Sequence, residues 1–176
     1  MKKIFGFILW LAFGFFAINC GYSTNLLVAS GIHTIYVEPF KNNINYTSEL
    51  QKEVYVPLLE VKVRDAVINR FLFDGHIKIA AADKANLILK GSLIGYQRDV
   101  LRRTDSDNVE EYRLQVLVDL VLWDPEKEKV VWEERNFAGE TTFFLTGPKA
   151  KSESSAIEDA VTDLGRRVVE RTVEDW

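Results

Sequence analysis

Cysteine and histidine are scarce in this chain, and their scarcity excludes several kinds of chemistry. Among 176 residues there are one cysteine, Cys20, and two histidines, His33 and His76. A single cysteine cannot form a disulfide within the chain, and the histidines fall on different predicted elements, outside any metal-ligand spacing. The chain also lacks a His-Glu-x-x-His sequence and a phosphate loop with Gly-Lys-Ser or Gly-Lys-Thr. We therefore expect no cofactor and no metal.

Paired catalytic groups are also missing. Asp119 lies in the middle of a predicted strand between Val118 and Leu120, on the same face as Leu117 and Val121. A catalytic carboxylate needs a neighbouring acid or base, and no such partner is evident. We interpret Asp119 as a residue of the less buried sheet face and expect no enzyme. A small-ligand enzyme stays open as a third alternative, which loss of turnover on mutating Asp119 would support.

An excess of positive charge is absent as well. Lysine and arginine number 22 against 26 aspartates and glutamates, which gives a formal net charge of −4. Chains that bind nucleic acid through bulk charge are usually basic, so we expect no nucleic-acid partner. Since 47% of the residues are hydrophobic, the chain has enough apolar side chains for a packed core.

The first 19 residues have the layout of a secretory signal. Lys2 and Lys3 precede an apolar run at 4–18, which is shorter than the roughly twenty residues of a membrane-spanning helix. The sequence Ala-Ile-Asn-Cys-Gly around Cys20 resembles a bacterial lipobox, which implies cleavage before Cys20 and its acylation. The alternative is a free thiol. We predict a lipoprotein signal peptide at 1–19 and a lipidated tether at 20–30.

Three unusually long strands are predicted between Ala85 and Phe144. They cover 85–101, 110–123 and a run that begins near Lys129, and a polar tip at 102–108 joins the first two. A strand of this length spans roughly 45 Å, which exceeds what a small two-layer domain needs. We therefore expect a role for the distal end of this hairpin.

Two helices are predicted, one before and one after these strands. The first covers 57–73 with apolar residues at three- and four-residue spacing, and Gly75 supplies its left-handed cap. The second begins at Ser152, Ser154 or Ser155, any of which can cap it.

Shorter strands complete the predicted order of elements. One lies within 31–40 and another within 76–80. Strand, helix, short strand, three-strand meander and helix make an α+β fold, in which helix stripes and alternating strands bury one another in two layers. We predict one such domain over 31–176.

Basic side chains at the hairpin tip are the candidate binding residues. Arg98, Arg102 and Arg103 cluster there, and Lys149 with Lys151 forms a second basic spot before the last helix. Arginine binds phosphate in a bidentate manner and keeps its charge. The alternative is a solvated, charge-balanced loop that blunts the strand ends.

Several segments, taken in order, resemble a known family. They are Cys20-Gly21-Tyr22, Val37-Glu38-Pro39-Phe40-Lys41-Asn42, Ala85-Asn86-Leu87-Ile88-Leu89-Lys90-Gly91, Glu111-Tyr112-Arg113-Leu114 and Val131-Trp132-Glu133-Glu134. They are similar to segments of the lipopolysaccharide-assembly lipoproteins, the LptE family. Through their order and spacing, the resemblance covers essentially the whole mature chain.

This resemblance implies a two-layer sandwich of two helices on a mainly antiparallel four-stranded sheet. It implies a non-enzymatic lipoprotein on the periplasmic face of the outer membrane, anchored by lipid on Cys20. Such a protein plugs and assembles an LptD-type barrel, binds lipopolysaccharide and assists its transport. In the family, basic residues near loop ends of the sheet contact the lipid A phosphates. Arg102 and Arg103 are most similar to such a site, with Arg98 and Lys149 as further candidates.

One alternative from another functional class remains open. Periplasmic lipoproteins that activate a peptidoglycan synthase or build a secretion channel also carry a strand resembling 37–42 after a lipidated cysteine. They would co-purify with an inner-membrane synthase or form a ring, rather than bind a barrel. The strand at 111–114 and the long meander favour the first hypothesis.

Overall fold

The structure, a computed structural model, describes residues 31–45 and 56–173. The predicted signal peptide at 1–19, the lipidation site Cys20 and the tether at 20–30 lie outside the described residues, so they stay predictions. Within the described part of the chain, neither helix combines the length and the apolar character needed to cross a membrane.

Two helices and six strands make up the described part of the chain. The helices are α1, Leu59–Asp74, and α2, Glu153–Val173. The strands are β1, Thr34–Val37; β2, Lys41–Asn42; β3, Lys78–Ile79; β4, Leu87–Arg103; β5, Val109–Asp124; and β6, Lys129–Phe144. The α+β class and the three long strands are thereby confirmed.

The sheet differs from the predicted four-stranded, mainly antiparallel arrangement. It is mixed and has six strands: β4, β5 and β6 form the antiparallel meander, whereas β1 runs parallel to β3 and β4, and β2 runs parallel to β4. The parallel pairing of β1 with β3 follows from the connection through α1, because a helical crossover lets the next strand run in the same direction as the one before it. β2 has two residues, too few to show an alternating pattern in the sequence, whereas β3 lies within the short strand predicted at 76–80.

The helices bury one face of this sheet. In β5, alternate residues from Leu114 to Leu122 are fully buried, and the residues between them are half-buried. The predicted apolar stripe of α1 packs onto this face, except that Ala66 is only partly buried; the predicted stripe was Leu59, Val63, Ala66, Val67 and Phe71. The two-layer prediction is therefore correct. Among the described elements, none covers the other face of the sheet, which we call the open face. The buried residues of α1 are Leu59, Val63, Val67 and Phe71.

The helix ends agree with the sequence signals to within two residues. α1 begins at Leu59 rather than at Pro57, because Leu58 takes a left-handed conformation with φ of 57°. Gly75, with φ of 76°, ends this helix as predicted, and its N–H donates to the Phe71 carbonyl. Of the three serines proposed to cap α2, Ser152 does so: its hydroxyl accepts from the N–H of Ser155 at 3.2 Å.

Side chains of α2 cover the outer edge of β6. The N–H of Glu140 donates to Asp163 Oδ2 at 3.1 Å, and the carbonyl of Ala138 accepts from the Arg167 guanidinium. Unpaired backbone groups on an edge strand invite pairing with another chain. These two bonds pair backbone groups on that edge and fix α2 against the sheet.

Asp119 has a structural role, in line with its interpretation from the sequence. It is half-buried on the open face, and its Oδ1 accepts from the N–H of Asn136 at 3.0 Å. Asn136 has a positive φ of 52°, at the point where the β5–β6 pairing shifts register after Val118. The carboxylate therefore stabilises a β-bulge.

Asp124 closes the β5–β6 turn with a buried carboxylate. Its Oδ1 accepts from the N–H groups of Glu126 at 3.1 Å and Lys127 at 3.0 Å, and Oδ2 lies 3.2 Å from Lys127 Nζ. Burial by itself would raise the pKa of Asp124, but the hydrogen bonds and the charge of Lys127 outweigh it and leave this pKa lowered. The folded-state pKa is depressed, so the stabilisation exists above about pH 4 and is lost as the pH falls further.

We expect Asp124→Asn to lower the free energy of unfolding by about 1–2 kcal/mol at pH 7, because charged acceptors make the stronger hydrogen bonds. The difference from the parent protein should be smaller at pH 3, because protonation of Asp124 in the parent protein removes the charge from this carboxyl group. Urea unfolding at both pH values measures it. Asp83→Asn, at an exposed turn, is the matched control and should change neither value. An equal loss at both pH values would contradict the assignment.

Candidate functional site

The sequence-predicted basic residues lie at one end of the sheet. Arg98, Arg102 and Arg103 are on the distal half of β4, where every residue from Gln97 to Arg103 is exposed. Lys149 is exposed in the loop between β6 and α2. That loop is held at the same end, because the N–H of Leu145 donates to the Glu110 carbonyl at 3.0 Å. The structure thus brings the two predicted basic spots to one end of the molecule.

Arg98 is held within the fold by two contacts. Its NH1 lies 2.9 Å from Glu153 Oε2, in the first turn of α2, and its guanidinium stacks 4.8 Å from the centre of the Tyr112 ring. These contacts link the long hairpin to the start of α2. A phosphate could reach this guanidinium only in competition with Glu153, so Arg98 is the least available of the three arginines.

Tyr96 also connects the long hairpin to the start of α2, through the same Glu153 carboxylate. It lies two residues before Arg98 on the same face of β4, and its hydroxyl donates to Glu153 Oε1 at 2.6 Å. Burial, with a further contribution from Glu153, raises the pKa of the Tyr96 hydroxyl. The phenol therefore stays protonated and remains a hydrogen-bond donor at any physiological pH.

Arg102 lies on the open face of the sheet. The β4–β5 pairing shifts register after Val100, so that Arg102 pairs with Glu111. Its Nε is 3.7 Å from Glu111 Oε2, and its guanidinium lies 5.8 Å from the centre of the Phe144 ring. More than half of the Arg102 side chain is exposed, and a surface ion pair of this length contributes at most about 1 kcal/mol. This guanidinium is available to a ligand.

Arg103 stabilises the turn at the end of the hairpin. Its NH1 donates to the Asp107 carbonyl at 3.0 Å, and Asp107 has a positive φ of 63°. The turn closes with the N–H of Thr104 donating to the Asn108 carbonyl at 2.8 Å. About half of the Arg103 side chain is exposed, which leaves part of its donor edge facing solvent.

Exposed apolar side chains lie among these cations, and the sequence interpretation missed them. Val100 and Leu101 on β4 and Leu145 in the loop after β6 are each more than 40% exposed. The sequence signal existed, since Val100-Leu101 interrupts an otherwise polar tip. Cations beside exposed apolar groups form a surface that suits an amphipathic anion better than a free phosphate. We call Arg102, Arg103, Val100, Leu101 and Leu145 the distal surface.

The arrangement offers binding groups but no catalytic pair. Within the described residues, no group of three or more histidine, cysteine, aspartate or glutamate side chains is arranged to hold a metal ion. Lys151, predicted as part of the second basic spot, is ion-paired with Asp159, whereas Lys149 has no ion pair in the part of the chain that the structure describes. The chemistry available at this end is therefore electrostatic and apolar contact.

A family model matches most of the chain. The model for LptE, described as lipopolysaccharide-assembly, matches residues 32–172. A search of curated proteins gave no significant match.

Solved structures with a similar fold come from several bacteria. A minor lipoprotein from Acinetobacter baumannii has a TM-score of 0.52 at 11% identity, over 82% of this chain and 95% of that one. The hypothetical protein CT253 from Chlamydia trachomatis has a TM-score of 0.52 at 12% identity, over 80% and 95%. Protein XCC0632 from Xanthomonas campestris has a TM-score of 0.51 at 15% identity, over 81% and 84%. At these identities the likeness concerns the fold alone.

Proposed function

The chain belongs to the LptE family of lipopolysaccharide-assembly proteins, and from this premise we propose that it is a non-enzymatic subunit of an outer-membrane lipopolysaccharide translocon. It plugs and helps to assemble an LptD-type β-barrel and contacts lipopolysaccharide on its way to the outer leaflet. Acylated Cys20 anchors it to the periplasmic face of the outer membrane.

The observation that carries this proposal is the length of the hairpin. Arg98 already contacts the first turn of α2, and β4 continues for five more residues to Arg103 before the turn. The distal surface therefore extends past the two described helices, where a partner can contact it. A plug needs such a projection to meet a substrate inside a barrel, whereas a simple two-layer binding domain does not.

The composition of the distal surface supports lipopolysaccharide as the ligand. Lipid A combines phosphate groups with acyl chains, and arginine guanidinium groups with exposed apolar residues complement both parts. The overall charge of the chain is −4, so local cations rather than bulk attraction must provide the binding. Arg102, Arg103 and Lys149 are the proposed contacts, with Arg98 as a secondary one that Glu153 must release.

Co-purification tests the function. We expect the tagged full-length protein, extracted in detergent from native membranes, to retain a large outer-membrane barrel in a one-to-one complex. The measurement is mass spectrometry of the purified complex, and the same sample reports the mass of the N-terminal peptide and hence acylation of Cys20. Recovery without any barrel would refute the proposal. Recovery of an inner-membrane peptidoglycan synthase, or of a ring of identical subunits, would favour the alternative class.

A further inference from the structure

The last turn of α1 exposes two large apolar side chains. Leu72 and Phe73 are 64% and 81% exposed, more than any other large hydrophobic residue in the described part of the chain. Single exposed apolar residues are common on protein surfaces, so exposure alone carries little weight. These two are adjacent, however, and their surroundings indicate what contacts them. We call Leu72 and Phe73 the α1 patch.

A cation lies directly on the α1 patch. The Arg70 guanidinium stacks over the Phe73 ring, 5.3 Å from its centre, and within the described residues it has no ion pair. The nearest acid along the chain, Asp74, contacts His76 at 2.8 Å. Arginine binds phosphate groups and keeps its charge. Exposed apolar side chains with an arginine beside them match the boundary between the acyl chains and the phosphates of a phospholipid layer.

The α1 patch lies at the end of the molecule where the described chain begins. β1 pairs with β3 through Thr34 and Lys78, and the N–H of Lys78 donates to the His33 carbonyl at 2.9 Å. Lys78 follows Phe73 by only five residues. Gly31, the first described residue, is therefore close to the end of α1.

The chain length before Gly31 limits where a lipid anchor can lie. Cys20 precedes Gly31 by 11 residues, which reach at most roughly 40 Å when fully extended. β4 begins beside β1, and its 17 residues to Arg103 span roughly 56 Å. Acyl chains on Cys20 therefore cannot be placed at the distal surface, whereas the α1 patch is within their reach.

We propose that the α1 patch docks on the phospholipid leaflet to which acylated Cys20 anchors the protein. Leu72 and Phe73 enter the boundary of the acyl chains, and Arg70 contacts the lipid phosphates. This inference rests on the anchoring proposed above, and it depends on neither lipopolysaccharide nor the barrel.

The docking concerns the lipoprotein before it enters a barrel. Two side chains hold a protein on a membrane only weakly, but an anchor on the same chain raises their effective concentration at the leaflet. The anchor therefore provides the attachment, and the α1 patch fixes which end of the molecule meets the leaflet.

A fluorescent label that reports contact with lipid tests this docking. The label, NBD, is attached at Asn69→Cys, an exposed position one turn before the α1 patch. The acylated full-length protein is reconstituted in vesicles of phosphatidylethanolamine and phosphatidylglycerol. Acylation leaves position 69 as the single free thiol, because the chain has no cysteine besides Cys20. We expect spin-labelled lipids to quench this label at least about threefold more strongly than NBD at Val61→Cys, near the start of α1.

Two double variants make the result specific to the α1 patch. Leu72→Ser with Phe73→Ser should reduce the quenching at position 69 to the level found at position 61. Leu58→Ser with Val61→Ser is the matched control, because these side chains are 63% and 45% exposed at the opposite end of α1. It should leave the quenching at position 69 unchanged. Circular dichroism reports that each variant is folded.

Three results would overturn the docking. An unquenched label at position 69, in protein whose acylation is verified by mass, would show that the α1 patch stays in water although the anchor holds. Quenching that persists in the Leu72/Phe73 variant would mean that these side chains do not make the contact. Equal loss in both double variants would show that the effect is not specific to this end of α1.

A second arm separates failure of the docking from failure of the anchor. If mass spectrometry finds Cys20 unmodified, the proposed anchor is wrong. The Cys20→Ser protein is then held on vesicles of the same composition by an N-terminal histidine tag and a nickel-chelating lipid. The same quenching at position 69, and the same loss in the Leu72/Phe73 variant, are expected there, and their absence would overturn the docking as well.

Discussion

Replacing Gly139 with alanine should strongly destabilise the protein. Gly139 lies in β6 directly beneath α2. A Cβ at this position would lie 2.3 Å from the Ala160 carbonyl oxygen, 2.4 Å from Leu164 Cβ and 2.6 Å from the Leu164 nitrogen. Two of these are backbone atoms of α2, so no side-chain rotation relieves the overlap.

The helix would have to move away from β6 to accept the methyl group. That movement would disrupt the bonds that Asp163 and Arg167 make to the strand edge, together with the burial of Leu164, which is complete. Overpacking of a core usually lowers the free energy of unfolding by about 1–3 kcal/mol. Because the overlap here is with backbone atoms, which cannot rotate away, we expect a loss at or above the upper limit of this range. We expect a loss of at least about 3 kcal/mol, a large share of the 5–15 kcal/mol typical of a domain.

The measurement is urea or thermal unfolding of the purified protein, with an expected fall in Tm of about 10 °C. Gly95→Ala on β4 is the control, because the same methyl group would there lie 3.1 Å from Leu117 Cδ1, the end of a flexible side chain. It should cost less than about 1 kcal/mol. Equal stabilities of the two variants would mean that α2 does not lie as close to β6 as described.

Strand and helix periodicity made much of this fold predictable. The alternation in β5 identified its buried face, and the spacing of Leu59, Val63, Val67 and Phe71 identified that of α1. Both patterns reflect a geometry that repeats along the chain. β3 lies within the short strand predicted at 76–80. β2 was not recognised as a strand, because its two residues pair only once the neighbouring strand β4 is in place. The mixed sheet is thus a tertiary property.

The basic residues of the candidate site were predicted from the sequence, but its apolar residues and the availability of each arginine to a ligand were not. The sequence placed Arg98, Arg102 and Arg103 together, since they are close along the chain. It did not indicate that Glu153, distant in sequence, pairs with Arg98. Nor did it indicate that a register shift after Val100 places Arg102 opposite Glu111 on the open face. A β-bulge reverses which side a residue faces, and nothing in the local pattern of this hairpin marks it.

Reversing the charge of Arg102 and Arg103 together should weaken lipopolysaccharide binding by about 10- to 100-fold. Each of the two arginines is about half exposed or more, and an exposed ion pair contributes at most about 1 kcal/mol, so losing two such contacts corresponds to roughly 30-fold. A carboxylate in place of each guanidinium also repels the ligand. Because Glu at position 102 would also face Glu111, the neutral pair Arg102→Gln and Arg103→Gln is the safer variant for folding. This variant should also bind lipopolysaccharide more weakly than the parent protein, but by a smaller factor. The measurement is equilibrium binding of purified lipopolysaccharide to the full-length protein.

Two controls make this result specific to the distal surface. Lys78→Glu with Lys84→Glu applies the same change in net charge to exposed lysines near the start of β4, at the other end of the sheet, and should alter binding less than about twofold. Lipopolysaccharide stripped of its lipid A phosphates should bind the parent and the Arg102/Arg103 variants equally, because the proposed contact no longer exists. Unchanged affinity of the charge-reversed variant for intact lipopolysaccharide would remove the hairpin tip from the binding site. In that case the length of the hairpin would be explained by contact with the barrel alone.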